Sequence, residues 1–220
     1  AKEALRLGAK VLVHSVDNAE VDAEFIKLAK ANNVIYLPTL IVTRGYLNTF
    51  RSLQKLRTVN DPNDVMDERA KELLKTSTEY FSFFPAQVNL EMQMKAFEQR
   101  VVKSEAIMDI NLKKLYDAGI TIAVATDAGN PGTFHGISIY DEMEAMQKAG
   151  IPANEIIIMA TKNGATAMER SRDFGILAKD MMADLIILDK NPAVDIANMR
   201  SISHVMRGGQ LRAVNKKFDH

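Results

Sequence analysis

The segment between positions 11 and 42 constrains the fold more than any other part of this 220-residue sequence. Two of its apolar runs, VLVHSV (Val11–Val16) and VIYLPTLIV (Val34–Val42), are rich in β-branched residues and predict strands. Between them, apolar residues at positions 21, 25, 28 and 29 have the spacing of an amphipathic helix. Strand, helix and strand with short links predict a βαβ unit, with parallel pairing and a right-handed crossover.

Local residues refine the limits of this unit. Pro38 cannot donate to a strand ladder, so we expect the second strand to end near Leu37. Asp17 and Asn18 predict a turn that caps the helix. Upstream, AKEALRLGAK has the pattern of the last turns of an amphipathic helix. A chain that opens in mid-helix is expected to be part of a longer protein.

A long helical insertion, at about 44–118, separates the βαβ unit from a third predicted strand, ITIAVATDAG. Asn60–Asn63 is expected to start one helix that runs toward Tyr80, and YFSFFP (Tyr80–Pro85) to end or kink it. Another helix is predicted at about Gln87–Asp117, ending at Gly119. This insertion far exceeds an ordinary connection, and a lid and a packing surface are both open interpretations.

The remainder of the chain predicts helices followed by strands. One helix is expected at Ser138–Lys148, and a second should start at Pro152 and break near Gly164. ADLIILDKNP and HVMRGGQLRAV then predict strands, with a Gly208–Gly209 turn inside a hairpin. Five methionines are expected to fill the core rather than to form a ligand stripe: Met143, Met146, Met159, Met181 and Met182.

Composition narrows the possible partners and metal ligands. The 28 basic and 28 acidic residues cancel, so we expect neither a nucleic acid nor a membrane surface as the partner. No apolar run approaches the length of a membrane span, and the compartment stays open. Because the sequence has no cysteine, any metal must be bound by His, Asp or Glu.

Polar residues stand where the predicted strands end, which is where parallel βα folds place their active residues. The first end carries His14, the second Pro38 and Thr39, and the third Thr126 and Asp127. A His and an Asp at such ends can grip one divalent metal. The alternatives are a helix-capping or turn Asp and a core His.

Three ordered motifs resemble one known family. They are LGAKVLVHSVDNAEVDAEFIKLAKANNVIYLPTL, then VATDAGNPGTFHG with GIPANEIIIMATKNGATAM behind it, and finally FGILAKDMMADLIILDKNP with VMRGGQLRAV. Together they resemble the metal-dependent amidohydrolase superfamily, in its imidazolonepropionase and Xaa-Pro or Xaa-Arg dipeptidase-like branch. The resemblance implies an α/β fold, the C-terminal sector of a (β/α)8 TIM barrel with its last three strands. The implied domains are a partial barrel over 1–178, including the insertion, and strands of a small flanking β-sandwich over 179–220.

The resemblance also implies roles for three residues and a cofactor. His14 matches a metal-ligating histidine, and Asp127 matches the aspartate that contacts the metal and takes a proton from the attacking water. His135 matches a histidine after the eighth strand, which implies substrate contact or orientation of Asp127. The implied cofactor is one or two divalent metal ions, and zinc is the metal that the resemblance favours. The implied substrate is a small amide, peptide or cyclic amide.

Departures from the family pattern leave a second function class open. The tail has Lys179-Asp180-Met181-Met182-Ala183-Asp184 where the family has Gly-Lys-x-Ala-Asp. The family's first-strand His-x-His pair, its fourth-strand Lys or Glu and its fifth-strand His have no counterpart here. Two donors do not complete a site, so the chain alone is expected to be inactive and to need a missing N-terminal barrel segment or to self-associate. The alternative is a non-catalytic α/β interaction module. A doubly wound nucleotide-binding domain is disfavoured because no glycine-rich phosphate loop follows a predicted strand.

Overall fold

The computed structural model of the protein describes residues 1–53, 59–75 and 90–214. Eight α-helices are described, α1 (Lys2–Arg6), α2 (Ala23–Ala31), α3 (Ile41–Leu53), α4 (Glu68–Lys75), α5 (Leu90–Asp117), α6 (Ser138–Lys148), α7 (Ala153–Ala160) and α8 (Lys162–Ala167). Six strands are described, β1 (Val11–Val13), β2 (Ile35–Leu37), β3 (Thr121–Ile122), β4 (Leu185–Leu188), β5 (Ile202–Arg207) and β6 (Gln210–Ala213). Within these ranges, no helix combines the length and the apolar character that crossing a membrane would require.

The first three strands form a parallel sheet in the order β1-β2-β3. The register pairs Leu12 with Tyr36, and Tyr36 with Ile122. The parallel pairing predicted from the βαβ pattern is therefore confirmed. Since parallel strands bring their carboxyl ends to one edge of a sheet, the residues after β1, β2 and β3 share that edge.

The strands are shorter than the apolar runs suggested. β1 ends at Val13 and not at Val16, because His14 has a φ of 71°, which lies outside the β region. β2 ends at Leu37, immediately before Pro38, as predicted. α3 begins at Ile41, inside the second predicted strand run. Short strands therefore bring the strand-end residues into tight turns.

Helix α2 shows how the connecting helix was correctly recognised and its cap was not. Phe25 and Ala29 bury the predicted apolar stripe, at 3% and 1% exposure. The N-cap is Asp22, whose carboxylate accepts a hydrogen bond from the backbone N–H of Phe25 at 2.9 Å. The prediction that Asp17 and Asn18 cap this helix is wrong, since the helix begins five residues after Asn18.

The hydrophobic core lies between the parallel sheet and the helices packed on it. Its fully buried large side chains come from α1, α3, β2, α5, β3, α6, α7 and the connecting segments: Leu5, Tyr36, Leu47, Leu112, Leu115, Ile122, Ile137, Met143, Met146, Ile151, Ile156 and Ile196. Met159 is also buried, so three methionines fill the core as predicted. Met182, in the loop before β4, is 47% exposed, and Met181 is only half-buried, so the core prediction is wrong for these two.

The helical insertion differs from its prediction at its first turn. Asp61 does not start a helix; its carboxylate accepts from the backbone N–H groups of Val65 and Met66, which closes a turn. α4 begins only at Glu68. The aromatic stretch Tyr80–Pro85 lies outside the described residues. α5 ends at Asp117, just before Gly119, as predicted.

The helices after β3 and the second sheet follow the sequence pattern closely. α6 has the predicted limits, whereas the next helical run breaks at Thr161 instead of Gly164. β4, β5 and β6 form an antiparallel sheet, and Gly208 and Gly209, both with positive φ, make the predicted hairpin turn. Several apolar side chains of this sheet face solvent, Ile186, Ile187, Val205 and Leu211 among them.

The two outer edges of the parallel sheet differ. β1 is an edge strand whose Val11 and Val13 are 47% and 52% exposed. At the opposite edge, α7 and α8 cover β3. The Asn163 side-chain amide donates to the Ile122 carbonyl at 2.8 Å, and the Val124 N–H donates to the Met159 carbonyl at 3.2 Å. Helical residues therefore form hydrogen bonds with some of the backbone groups along the outer edge of β3.

Candidate active site

Each strand of the parallel sheet is followed by a non-glycine residue in the left-handed region of backbone space. His14 follows β1 with a φ of 71°, Thr39 follows β2 with 47°, and Asp127 follows β3 with 50°. Such residues cost about 1–3 kcal/mol each and persist where the surroundings hold them in place. Three of them at one edge of one sheet mark that edge as the candidate site.

His14 is exposed to solvent and held by neighbours from the turn after β2. Its backbone N–H donates to the Leu37 carbonyl at 2.9 Å. Its ring Nδ1 lies 3.0 Å from Oγ1 of Thr39, whose side chain is buried. When Nδ1 carries the proton and donates to Thr39, the lone pair of Nε2 is free to bind a ligand from the solvent side.

The carboxylate of Asp127 is held through Asn130. The Asn130 side-chain amide donates to Oδ2 of Asp127 at 2.7 Å and to its backbone carbonyl at 3.0 Å. The Tyr46 hydroxyl, on α3, donates in turn to Oδ1 of Asn130 at 2.9 Å. This chain of bonds holds one carboxylate oxygen of Asp127, a residue that is exposed to solvent.

His135 lies beside the same loop as Asp127 and is exposed. A Cβ added at Gly129, two residues after Asp127, would lie 4.0 Å from Nε2 of His135. The role expected for His135, substrate contact, stays a prediction.

The donor types at this edge suit a borderline divalent ion, while their number is incomplete. An imidazole nitrogen from His14 and a carboxylate oxygen from Asp127 are the ligands that a cysteine-free zinc site would use. Across residues 1–53, 59–75 and 90–214, no three His, Asp or Glu side chains gather closely enough to hold a metal ion. The two donors therefore fit a divalent metal ion in kind, and two donors do not complete a site.

A buried carboxylate lies behind the candidate site. Glu142, on α6, is 0% exposed and accepts from the backbone N–H groups of Leu40 at 2.9 Å and Ile41 at 3.1 Å. These N–H groups open α3 and have no partner within that helix. Burial raises the pKa of Glu142 to about 8, and the two N–H donors oppose that rise only in part.

Further buried contacts fix the chain between β1 and α2. The hydroxyl of Tyr36 accepts from the backbone N–H of Val16 at 3.2 Å, and burial raises the pKa of Tyr36. Asn111, on α5, is fully buried; it accepts from the Val21 N–H at 2.7 Å and donates to the carbonyls of Val16 and Ala19. The segment that follows His14 is therefore held from the sheet and from α5.

A cavity of about 280 Å³ lies between α3, α5 and α6. Arg44 and Glu105 form an ion pair in its wall, and burial raises the pKa of Asp109 there. Neither His14 nor Asp127 contributes to its lining. Leu40, Ile41 and Gly132 do line it, so the cavity adjoins the turn after β2 and the loop after β3.

Sequence reasoning proposed His14, Asp127 and His135 as site residues and did not identify the side chains around them. Thr39 was noted only as a strand-end residue. Glu142 carries a readable signal, because it interrupts the apolar face that α6 presents through Ile139, Met143 and Met146. A carboxylate on such a face destabilises the fold unless specific donors form hydrogen bonds with it, so its presence there indicates such donors.

Comparison with known proteins assigns the chain to a family. The sequence model of the "Amidohydrolase family" matches residues 8–212. An imidazolonepropionase of Streptomyces griseus is 35% identical over 102 residues, which cover 44% of this chain and 26% of that protein. A 5'-deoxyadenosine deaminase of Methanococcoides burtonii is 35% identical over 91 residues, 36% of this chain and 20% of that protein. A solved structure of a Xaa-Pro dipeptidase with bound methionine superposes with a TM-score of 0.62 at 22% identity, over 96% of this chain and 42% of that one.

The fold is α/β, and polar residues follow the ends of its parallel strands. The chain belongs to the amidohydrolase family, since the family match spans nearly all of its length. The similarity to the dipeptidase structure supports the same fold. The chain spans less than half the length of the relatives it matches.

Proposed function

We propose that this chain is the C-terminal part of a metal-dependent amidohydrolase that hydrolyses a C–N bond in a small amide, peptide or cyclic amide. One observation carries the proposal. His14 and Asp127 follow two strands of the same parallel sheet, in left-handed backbone conformations, and each is held by a neighbouring polar side chain. Family membership supplies the chemical context for that pair.

The fold part of the proposal is that β1, β2 and β3 are the last three strands of a (β/α)8 barrel. Their parallel order supports it, as does the exposed β1 edge, which can accept a further strand. Residues 1–178 would then belong to the barrel, with the insertion, and residues 179–220 to a flanking β-sandwich. We expect a missing N-terminal barrel segment to cover the exposed edge; self-association is the alternative occupant.

The proposed reaction is attack of water on the carbonyl carbon of the scissile amide. Asp127 takes a proton from the water as the C–O bond forms and returns it to the departing nitrogen as the C–N bond breaks. The products are a carboxylic acid and an amine. Asn130 holds Oδ2 of Asp127, so Oδ1 is the oxygen available for proton transfer.

The proposed cofactor is zinc, as one or two ions, with His14 and Asp127 among its ligands. A bound divalent ion supplies a lowered pKa for water and polarisation of the substrate carbonyl. The Thr39 contact at Nδ1 supports binding through Nε2 of His14. His135, near the Asp127 loop, is the proposed substrate contact.

Two relatives narrow the substrate class. An imidazolonepropionase and a Xaa-Pro dipeptidase are named for a cyclic amide and for dipeptides. A panel of N-acyl amino acids, dipeptides and cyclic amides, tested on the full-length protein with zinc, is therefore the direct experiment. We expect turnover of at least one class, and a loss of at least about 100-fold in kcat for Asp127→Asn.

The matched control is Asp117→Asn, at the end of α5. Asp117 makes an exposed ion pair with Lys113, which contributes little to stability, so its variant should keep wild-type turnover. Turnover that survives Asp127→Asn intact would eliminate Asp127 as the base. No turnover and no zinc binding by the wild-type protein would favour the second candidate, a non-catalytic α/β interaction module. The incomplete set of metal donors among the described residues favours that candidate.

A further inference from the structure

We infer that Glu142 is a positioning residue, which fixes the start of α3 and thereby both halves of the proposed active site. The inference deepens the proposed function and rests on it for the roles of His14 and Asp127. The contact itself is a property of the fold. It joins α6 to the turn after β2 across 102 positions of the sequence.

The start of α3 needs an acceptor from outside its own segment. Helix N-termini are usually capped by a local Ser, Thr, Asp or Asn side chain. Leu40, next to the first residue of α3, has no such group, and the hydroxyl of Thr39 contacts His14 instead. The two oxygens of Glu142 fill this role through the N–H groups of Leu40 and Ile41.

One series of contacts connects Glu142 to His14. Thr39 directly precedes Leu40 and holds a φ of 47°, a strained conformation for a β-branched residue. Fixing Leu40 and Ile41 from α6 holds Thr39 in that conformation, with Oγ1 within 3.0 Å of the His14 ring. Release of the start of α3 would let the Thr39 turn relax and the imidazole rotate.

A second series of contacts connects Glu142, through α3, to Asp127. The backbone of α3 at Gly45 packs directly on Gly132, where even a Cβ would not fit, so the helix contacts the loop after β3. One residue on, Tyr46 donates to Asn130, and Asn130 donates to Asp127. The position of α3 therefore sets the orientation of the carboxylate.

Packing alone does not account for a carboxylate at position 142. Met143 and Met146, on the same face of α6, are buried and apolar, and a third apolar side chain would serve the core without the desolvation cost of an acid. Two directed acceptors are what a carboxyl group adds, because each of its oxygens keeps a lone pair for one N–H group even when the group carries a proton. Those acceptors act on the start of α3, the helix that follows Thr39 and reaches the Asp127 loop through Tyr46.

The test uses Glu142→Gln in the full-length protein, labelled with 15N on histidine and kept free of metal. Gln places an NH2 against one of the two N–H donors, so one of the two bonds is lost. We expect the ring nitrogen signals of His14 to move in the direction produced by Thr39→Val, which removes the hydroxyl partner directly. In a separate titration of the same proteins with Zn²⁺, we expect the affinity of Glu142→Gln for the ion to be about 10-fold weaker or more.

Glu144→Gln is the matched control, because Glu144 lies two residues along α6 and pairs with Arg200. Its His14 signals and Zn²⁺ affinity should equal those of the wild type. His14 signals unchanged in a folded Glu142→Gln protein would overturn the inference. If that variant does not fold, Ile41→Pro removes one donor at the first helical position, which tolerates proline, and the same shift is expected or the inference fails.

The positioning contact and the proposed function can fail separately. Absence of Zn²⁺ binding and of hydrolysis in the wild type, together with a His14 shift in Glu142→Gln, would remove the function and keep the contact. Hydrolysis by the wild type, together with unchanged His14 signals in Glu142→Gln, would keep the function and remove the positioning role.

Discussion

The buried acid on α6 makes the stability of the protein depend on pH in a direction opposite to that of most carboxylates. Its folded-state pKa, about 8, lies above the ordinary value of 4.5. Between these two values the folded protein keeps a proton that the unfolded chain releases. The contribution of Glu142 is therefore complete below pH 4.5 and is lost as pH rises through about 8. At about 1.4 kcal/mol per pH unit, the loss amounts to about 5 kcal/mol over the window.

Urea unfolding of the wild type and Glu142→Gln, at half-unit steps from pH 4 to 9, measures this loss. Gln does not titrate, so the wild-type free energy of unfolding minus that of the variant should decline steadily over the window. Glu144→Gln, on the same helix, should show no such decline. A difference that is flat, or that rises with pH, would refute the reasoning. It would mean that the two backbone donors outweigh desolvation and keep Glu142 ionised.

Two further predictions concern the loop after β3. Gly132→Ala should destabilise the protein by about 2–5 kcal/mol in thermal or urea unfolding, because the new Cβ overlaps the carbonyl of Gly45 at a positive φ. Gly8→Ala, also at positive φ but with open space around it, should cost only about 1 kcal/mol; equal losses would contradict the close contact. Asn130→Leu should lower kcat about 10-fold with little change in KM, measured on any substrate the wild type turns over; an unchanged kcat would show that Asp127 needs no partner.

Local chemistry made the fold predictable where it was predicted correctly. Pro38 ends β2 because it cannot donate to the ladder, and the run of apolar residues at helical spacing gave the limits of α6. The two glycines at 208 and 209 suit the positive φ of the hairpin turn that they form. Each of these signals acts within a few residues of where it is read.

The parts that were missed depend on contacts between distant segments. The Asp22 cap displaced the predicted one because the segment after His14 is hydrogen-bonded to Tyr36 and Asn111, which delays the helix. The use of Glu142 as the acceptor for α3 spans 102 positions, and no local pattern announces its partners. His14 and Asp127 could be proposed from strand ends and family resemblance, whereas the side chains that orient them required the folded geometry.

The unequal edges of the parallel sheet have a consequence for assembly. Asn163 and Met159 occupy backbone groups on the far side of β3, while β1 stays exposed. A strand can pair with β1 directly, whereas a strand that pairs with β3 must first displace these helical contacts. Closure of the proposed barrel, which uses both edges, would therefore exchange the Asn163 and Met159 contacts on β3 for strand pairing, while the β1 edge can pair without such an exchange.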